Sequence, residues 1–203
     1  MVRRKKSVDS SKESVWILPD QLSLDISSLQ GRSPNIPIVM VEFQDREGSV
    51  RMHKMRLVFL LSAMRHFRDR LISQGYRVDY YAADDPDEKR AALCREGYLA
   101  CLKDYVKRNG IERLFVTEPN LFSLDEQIRN SLADCLKIAV ELVPTNQFLV
   151  SRAQFRNWEQ MQGELVMENF YRMMRQNLDI LMDGSDPQGG RWNYDIENRV
   201  PPM

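Results

Sequence analysis

The sequence predicts an α/β protein in which a Rossmann-like, five-stranded parallel sheet is followed by a C-terminal helical extension. Short runs of β-forming residues alternate with helical stretches between residues 14 and 146. Such alternation is typical of right-handed βαβ crossovers and of a parallel sheet covered on both faces. After Pro144, two helical stretches follow one another without a strand between them. A chain of 203 residues that is 43% hydrophobic can also bury a sizeable core.

The first predicted elements are two strands and a long helix. Residues 14–18 (SVWIL) and 36–41 (IPIVMV) are the runs that predict the strands. The helix is predicted at 54–73, because apolar residues recur there at steps of three and four and so share one face. Gly75 is its expected stop. The apolar stripe consists of Leu57, Leu61, Met64, Phe67 and Leu71.

The alternation then continues to the end of the predicted sheet. Two further helices are expected at 87–108 and 123–137, and Ser123 is the expected N-cap of the second. Cys94 and Cys101 are seven residues apart, so we expect them on one face of the first of these helices, as core residues. The remaining strands are predicted at 77–82, 113–117 and 139–143.

The chain is therefore predicted to consist of three parts. Residues 1–13 are expected to be a loose tail, 14–146 the sheet domain and 147–203 the helical extension. Within the extension, helices are predicted at 151–160 and 166–182, and turn-forming residues concentrate at 183–190 (DGSDPQGG).

Composition excludes several classes of function. Positive and negative residues balance at 29 each, so the whole molecule has no net field that attracts nucleic acid or membranes. No apolar run approaches the ~20 residues that span a bilayer. The three cysteines, Cys94, Cys101 and Cys135, are odd in number and lack metal-ligand spacing, which favours a reducing cytoplasm. Neither a membrane nor a metal partner is predicted.

Polar residues follow every predicted strand. In open parallel sheets, ligands bind beyond the carboxyl ends of the strands, near the point where the strand order reverses. A small-molecule site at this rim is one interpretation; helix caps and polar loops have the same composition and are the other. The rim residues are Asp20 and Gln21 after strand one, Glu42 after strand two, Asp84 and Asp85 after strand three, Glu118 and Asn120 after strand four, and Asn146 after strand five.

The rim chemistry favours a ligand without phosphates. The sequence after strand one, Pro19–Ser23 (PDQLS), lacks the G-x-G-x-x-G pattern, and no G-x-x-x-x-G-K-[ST] occurs in the chain. Carboxylates accept hydrogen bonds from hydroxyl and N–H groups but repel phosphate. A neutral, hydroxylated or heteroaromatic ligand is therefore expected. Ser62 and His66 are adjacent on the first helix, but a mid-helix Ser lacks the strained turn of a nucleophile, and no active site is evident.

Several motifs together resemble the photolyase-related, iron–sulfur branch of the bacterial photolyase/cryptochrome family. They occur in order from about residue 15 to the end of the chain, at compatible spacing. They are Asp20–Ser23 (DQLS), Ser62–Phe67 (SAMRHF), Asp84–Pro86 (DDP), Val116–Pro119 (VTEP), Met167–Arg175 (MENFYRMMR), Gly189–Asn193 (GGRWN) and Asp195 through Arg199 (DIENR).

The resemblance implies a two-domain light-driven protein. The resemblance implies an N-terminal α/β domain with the strand order 3-2-1-4-5. In this family that domain holds a light-harvesting antenna, which is a ribityllumazine in some relatives. A helical domain binds FAD and an iron–sulfur cluster and performs DNA repair or light sensing. This chain resembles the antenna domain and the connector, so FAD, the cluster and any contact with DNA are expected only with a flavin domain supplied in cis or in trans. The expected antenna-binding residues are Asp20, Gln21, Leu22, Glu42, Asp84, Asp85 and Glu118.

Two other functions remain open at this stage. The chain alone is not expected to be catalytic, so it could be a non-catalytic interaction module whose Met-rich and aromatic C-terminal helix docks a protein partner. A nucleotide-binding protein of the same broad fold is the third and weaker possibility.

Overall fold

The computed structural model describes residues 12–42 and 52–195. The expected loose tail 1–13 lies outside this range except for Lys12 and Glu13, and Glu13 already belongs to the first strand. The chain divides into two compact units at the boundary between Gln147 and Phe148. Within the described ranges, none of the helices combines the length and the apolar character that a bilayer-spanning segment requires.

The first unit is built on the predicted sheet. All four strand pairings are parallel, and the order is β3-β2-β1-β4-β5, which confirms both the fold class and the order implied by the family resemblance. The strands are β1 Glu13–Ile17, β2 Ile38–Val41, β3 Val78–Tyr81, β4 Arg113–Thr117 and β5 Ala139–Val143.

Helix α1, Lys54–Ser73, has the predicted bounds, but the later helices are more broken than predicted. The expected helix 87–108 consists of two helices that meet at Gly97, whose φ of +120° lies in the region that favours glycine. The expected helix 123–137 begins one residue earlier and contains a π-helical stretch. Its N-cap is Leu121, so the prediction that Ser123 caps it was wrong. The segments are α2 Glu88–Glu96, α3 Tyr98–Asn109, α4 Phe122–Gln127, the π-helical turn Ile128–Leu132 and α5 Ala133–Leu136.

The sheet separates two hydrophobic cores. Alternate side chains of a strand point to opposite faces, so Trp16 belongs to one core, with α3, while Val15 and Ile17 belong to the other, with α1. Trp16 stacks on Tyr98 of α3 at a centroid distance of 5.3 Å. From α1, the second core receives the buried part of the predicted stripe: Met64, Phe67 and Leu71.

The second unit contains two helices and a small hairpin. Ser151 caps α6, Arg152–Gln160, in a reciprocal capping box with Gln154. Helix α7, Met167–Leu178, ends earlier than the predicted residue 182, because Asp179 takes a left-handed conformation. The predicted turn region forms two antiparallel strands, β6 Met182–Asp183 and β7 Asp186–Pro187. The two helices are joined by an aromatic cluster of Phe155, Trp158 and Phe170, with ring centroids 5.0 to 5.7 Å apart.

Candidate functional site

The strand order places the candidate site at one edge of the sheet. The order reverses between β1 and β4, so the crevice in which open parallel sheets bind ligands lies beyond the carboxyl ends of these two strands. The loops that carry the predicted rim residues all leave the strands at this edge. Their side chains form two separate hydrogen-bonded groups, one beyond β2 and β3 and the other beyond β1, β4 and β5.

The first group is organised by Glu42, and we call it the Glu42 cluster: Glu42, Arg65, Tyr80 and Asp84. Glu42 is 1% exposed, and both of its carboxylate oxygens are occupied. Arg65 donates to it twice, from Nε to Oε1 at 2.7 Å and from Nη2 to Oε2 at 3.0 Å. The Tyr80 hydroxyl donates to Oε1 at 2.6 Å, and the backbone N–H of Ala83 donates to Oε2 at 2.9 Å. Glu42 therefore joins β2, α1 and β3 from inside the protein.

The two aspartates after β3 differ in their surroundings. The Asp84 side chain is 70% exposed and accepts from Arg65 Nη2 at 2.5 Å and from Nη1 at 3.2 Å. That guanidinium lowers the pKa of Asp84, while burial and the hydrogen bond to Glu42 raise the pKa of Tyr80. Asp85 is turned inward and accepts from Arg90 Nε at 3.0 Å. Only Asp84 of this group offers a carboxylate to solvent.

The second group lies at the strand-order reversal, and we call it the Asp20 cluster: Asp20, Asn120 and Gln147. Asn120 Nδ2 donates to Asp20 Oδ2 at 2.9 Å and to Gln147 Oε1 at 3.1 Å. Gln147 Nε2 closes the ring by donating to the backbone carbonyl of Asp20 at 2.7 Å. The three side chains come from the loops after β1, β4 and β5, and all three are exposed. This cluster presents one carboxylate and two amides to solvent.

Three other predicted site residues contact the protein beneath this edge of the sheet. Gln21 is fully buried, and its Nε2 donates to the backbone carbonyls of Thr117 at 3.0 Å and Glu118 at 3.2 Å, which ties the β1 loop to the end of β4. Leu22 is half-buried and packs against the core that contains α1. Glu118 accepts from Arg129 at 2.7 Å and from the Thr145 backbone N–H at 3.3 Å. These side chains position the loops rather than face outward.

Two important residues were missed by sequence reasoning. Gln147 lies at the predicted domain boundary, where the turn composition gave no reason to select it, although the strand-end rule could have been extended one residue beyond Asn146. Arg65 was noted only as part of a motif, because its two carboxylate partners are 23 and 19 residues away in sequence. No local pattern indicates a contact of that range.

The other candidate residues on α1 and the possible metal ligands show less organised surroundings than the two clusters. Ser62 and His66 are both exposed on α1. Residues 12–42 and 52–195 contain no group of three or more His, Cys, Asp or Glu side chains that could hold a metal ion. His53 begins α1 as its N-cap, accepting from the Met55 N–H at 3.2 Å.

The second unit has a cavity of its own. Its volume is about 640 Å³, and its wall includes Met167, Tyr171, Arg175, Trp192 and Tyr194. The Trp192 ring lies 5.3 Å from the guanidinium carbon of Arg175 and 5.4 Å from that of Arg172. The Arg175 guanidinium is itself engaged by Tyr171 and by the backbone carbonyls of Ile180 and Leu181. The cavity wall is therefore mainly aromatic and apolar, and Glu168 and Asp195 add two carboxylates to it.

Comparison with known proteins identifies similar sequences over nearly the whole chain. Residues 15–203 match the model of the family described as deoxyribodipyrimidine photo-lyase-related protein. The chain is 37% identical over 188 residues to a (6-4) photolyase from Agrobacterium fabrum (strain C58 / ATCC 33970), covering 92% of this chain but 36% of that protein. It is 28% identical over 198 residues to the uncharacterized protein R852 of Acanthamoeba polyphaga mimivirus, covering 93% of this chain and 94% of R852. The chain thus spans about a third of the photolyase and nearly all of the mimivirus protein.

Proposed function

The chain belongs to the deoxyribodipyrimidine photo-lyase-related protein family, and from this premise we propose that it is the antenna-binding part of a light-driven flavoprotein. In this proposal the first unit binds a ribityllumazine, and a flavin-binding helical domain, joined in cis or supplied in trans, receives the absorbed energy. FAD, an iron–sulfur cluster and contact with DNA belong to that helical domain. The context is light-driven DNA repair or light sensing in the cytoplasm, as in the iron–sulfur branch of the family.

The observation that carries the proposal is the Asp20 cluster. It lies at the strand-order reversal, where ligands of open parallel sheets bind. Its exposed carboxylate can accept hydrogen bonds from the hydroxyl groups of a ribityl chain, and the amides of Asn120 and Gln147 can both donate and accept. The donor set therefore fits a neutral, hydroxylated heteroaromatic compound better than a polyphosphate.

The predicted site residues have different roles in this proposal. Asp20, with Asn120 and Gln147 beside it, binds and orients the ligand. Gln21 and Glu118 hold the β1 and β4 loops in place through contacts with the protein. Glu42 is a positioning residue, because Arg65, Tyr80 and the Ala83 N–H already occupy its oxygens. When bound, the chromophore supplies light absorption and passes excitation energy to the flavin.

The flavin domain is proposed as a partner on the basis of the relatives and of the second unit. The (6-4) photolyase extends far beyond the aligned region, since the chain covers 36% of it. Helix α7 exposes large apolar side chains: Met167 is 77% exposed and Tyr171 is 41% exposed. A surface of this composition favours a protein partner. The chain covers 94% of the mimivirus relative, so a similar protein occurs without the additional length of the photolyase, and the proposal therefore includes a partner supplied in trans as well as in cis.

Binding of ribityllumazine to the purified chain tests the antenna function. We expect saturable binding, measured by the change in ligand fluorescence. Asp20→Asn keeps the shape and the acceptor for Asn120 but removes the charge. Because a hydrogen bond to a charged group contributes about 1.5–3 kcal/mol, we expect affinity to fall about tenfold or more. Asp134→Asn, an equally conservative change on α5 at the opposite edge of the sheet, is the matched control and should leave affinity unchanged.

A specific observation favours the interaction module as the second candidate, namely the exposure of Met167 and Tyr171. If the chain binds no ribityllumazine, while Met167→Ser weakens its association with a separately produced flavin domain of the same family, the module function replaces the antenna function. If Asp20→Asn and Asp134→Asn weaken ligand binding equally, the proposed position of the site is wrong.

A further inference from the structure

Cys94 and Cys101 are brought together by the break between α2 and α3. The sequence pattern placed them on one face of a single helix, but the chain turns at Gly97 and the two residues lie on different helices. Their sulfur atoms are 3.7 Å apart. The glycine between the two helices has a φ of +120°, a conformation that other residues rarely adopt. The antenna function makes no use of this pair.

The surroundings of the two thiols are apolar but unequal. Cys101 is fully buried and Cys94 is 7% exposed, both within the core that contains Trp16. The Cys101 thiol donates to the Cys94 sulfur, which lowers the pKa of Cys94, while the same contact and burial raise the pKa of Cys101. The less buried sulfur is therefore the better nucleophile, and its neighbour is placed to react with it next.

We propose that Cys94 and Cys101 are a reversible redox pair, in which a peroxide converts the two thiols into a disulfide that joins α2 to α3. A disulfide sulfur–sulfur bond is about 2.05 Å long, so the sulfurs must approach by about 1.7 Å from their present 3.7 Å. Side-chain rotation supplies movement of this size, because each sulfur is one bond from the χ1 axis.

The reaction balances with one peroxide molecule. The Cys94 sulfur attacks a peroxide oxygen, the O–O bond breaks, and the departing hydroxide leaves as water with the Cys94 proton. The Cys101 sulfur then attacks the sulfur of the resulting sulfenic acid, and the displaced hydroxide takes the Cys101 proton. Two thiols lose two electrons and two protons, and one hydrogen peroxide becomes two waters. An external dithiol reverses the result by thiol–disulfide exchange.

The disulfide would restrain one side of the sheet. Helix α2 carries Arg90, which bonds to Asp79 of β3 at 3.0 Å and to Asp85 at 3.0 Å. Joining the end of α2 to α3 across Gly97 therefore limits the movement of the helix that holds the loop after β3. The pair links the oxidation state of the protein to the rigidity of that loop.

The test uses the full chain treated with hydrogen peroxide at neutral pH, followed by denaturation and alkylation of free thiols. We expect Cys135 to be alkylated and Cys94 and Cys101 to be protected, with trypsin releasing peptides 91–95 and 96–103 as one species lighter by two hydrogens than their sum. Dithiothreitol should restore both free peptides. Unchanged circular dichroism during treatment shows that the folded protein reacted.

Two variants distinguish disulfide formation by this pair from non-specific oxidation of thiols. Cys135→Ser should form the linked peptides at an unchanged rate. Cys101→Ala, which leaves no buried hydroxyl, should abolish them and leave Cys94 as a sulfenic acid that a dimedone probe traps. The proposal is overturned if the folded protein keeps both thiols alkylatable after exposure to peroxide, or if the linkage that forms contains Cys135.

Discussion

The contrast between Glu42 and Asp84 is the sharpest stability prediction of the structure. Both carboxylates accept two hydrogen bonds from the same arginine, Arg65. They differ in burial, because the Glu42 side chain is 1% exposed and the Asp84 side chain is 70% exposed. Glu42→Gln and Asp84→Asn are isosteric changes that each remove one negative charge. We expect these two changes to have very different effects on the free energy of unfolding.

The magnitude follows from what each change leaves behind. In Glu42→Gln, one carboxylate oxygen becomes an amide nitrogen that faces donors, either the Ala83 N–H and Arg65 Nη2 or the Tyr80 hydroxyl and Arg65 Nε. A buried group left without its partner costs about 1–3 kcal/mol, and losing a charged acceptor adds to that. Together these give about 3 kcal/mol, near the lower end for removing one partner of a buried pair. Asp84→Asn should cost about 0–1 kcal/mol, because water screens and replaces the exposed contact.

Urea unfolding followed by far-ultraviolet circular dichroism measures both variants against the parent chain. With a slope of about 2–3 kcal/mol per molar urea, Glu42→Gln should lower the midpoint by about 1 M or more. Asp84→Asn should shift it by less than about 0.5 M on the same slope. Equal shifts of the midpoint in the two variants would refute the inference that Glu42 is a buried structural hub. A loss of stability below about 0.5 kcal/mol in Glu42→Gln would refute it as well.

Two further predictions concern other parts of the molecule. Gly189→Ala should destabilise the second unit by about 1–3 kcal/mol, because Gly189 has a φ of +80° and an added Cβ would lie 2.3 Å from the Tyr194 hydroxyl. Gly163→Ala is the control, because an added Cβ at Gly163 would meet no atom within 4 Å. Thermal unfolding measures the stability of both variants. Burial raises the pKa values of Tyr80 and Tyr81, so the native state favours their neutral phenols and loses this stabilisation as pH rises above the ordinary value of about 10. Phenolate absorbance at about pH 11 should therefore show these two unionised in the native protein, whereas all seven tyrosines titrate when it is unfolded; full titration of the folded protein contradicts the prediction.

The fold could be predicted from the sequence because its signals are local. The β-forming runs and the α1 stripe that includes Met64 and Leu71 depend on residues close together in the chain, and the structure contains those elements. The break at Gly97 could not be predicted in the same way. A mid-helix glycine costs only about 1 kcal/mol relative to alanine, so packing of the two helices decides whether the helix continues.

The candidate site was predictable in its position but not in its pairings. Parallel strands end at a common edge, and this rule alone selected Asp20, Glu42 and Asp84. Whether such a carboxylate faces water or is covered depends on a distant partner: Arg65 covers Glu42, while Asn120 leaves Asp20 exposed. The position of a residue at a strand end does not determine whether its side chain is buried, because burial at this edge depends on contacts with residues distant in sequence.

The most direct test of the proposed antenna site is a nuclear magnetic resonance titration of the isotopically labelled chain with ribityllumazine. We expect saturable amide shift changes concentrated at residues 20–22, 118, 120 and 147, with smaller changes near Asp84. Shift changes confined to the second unit or to the opposite edge around Asp134 would contradict an antenna site at the strand-order reversal. The absence of shift changes at ligand concentrations well above that of the protein would contradict it as well.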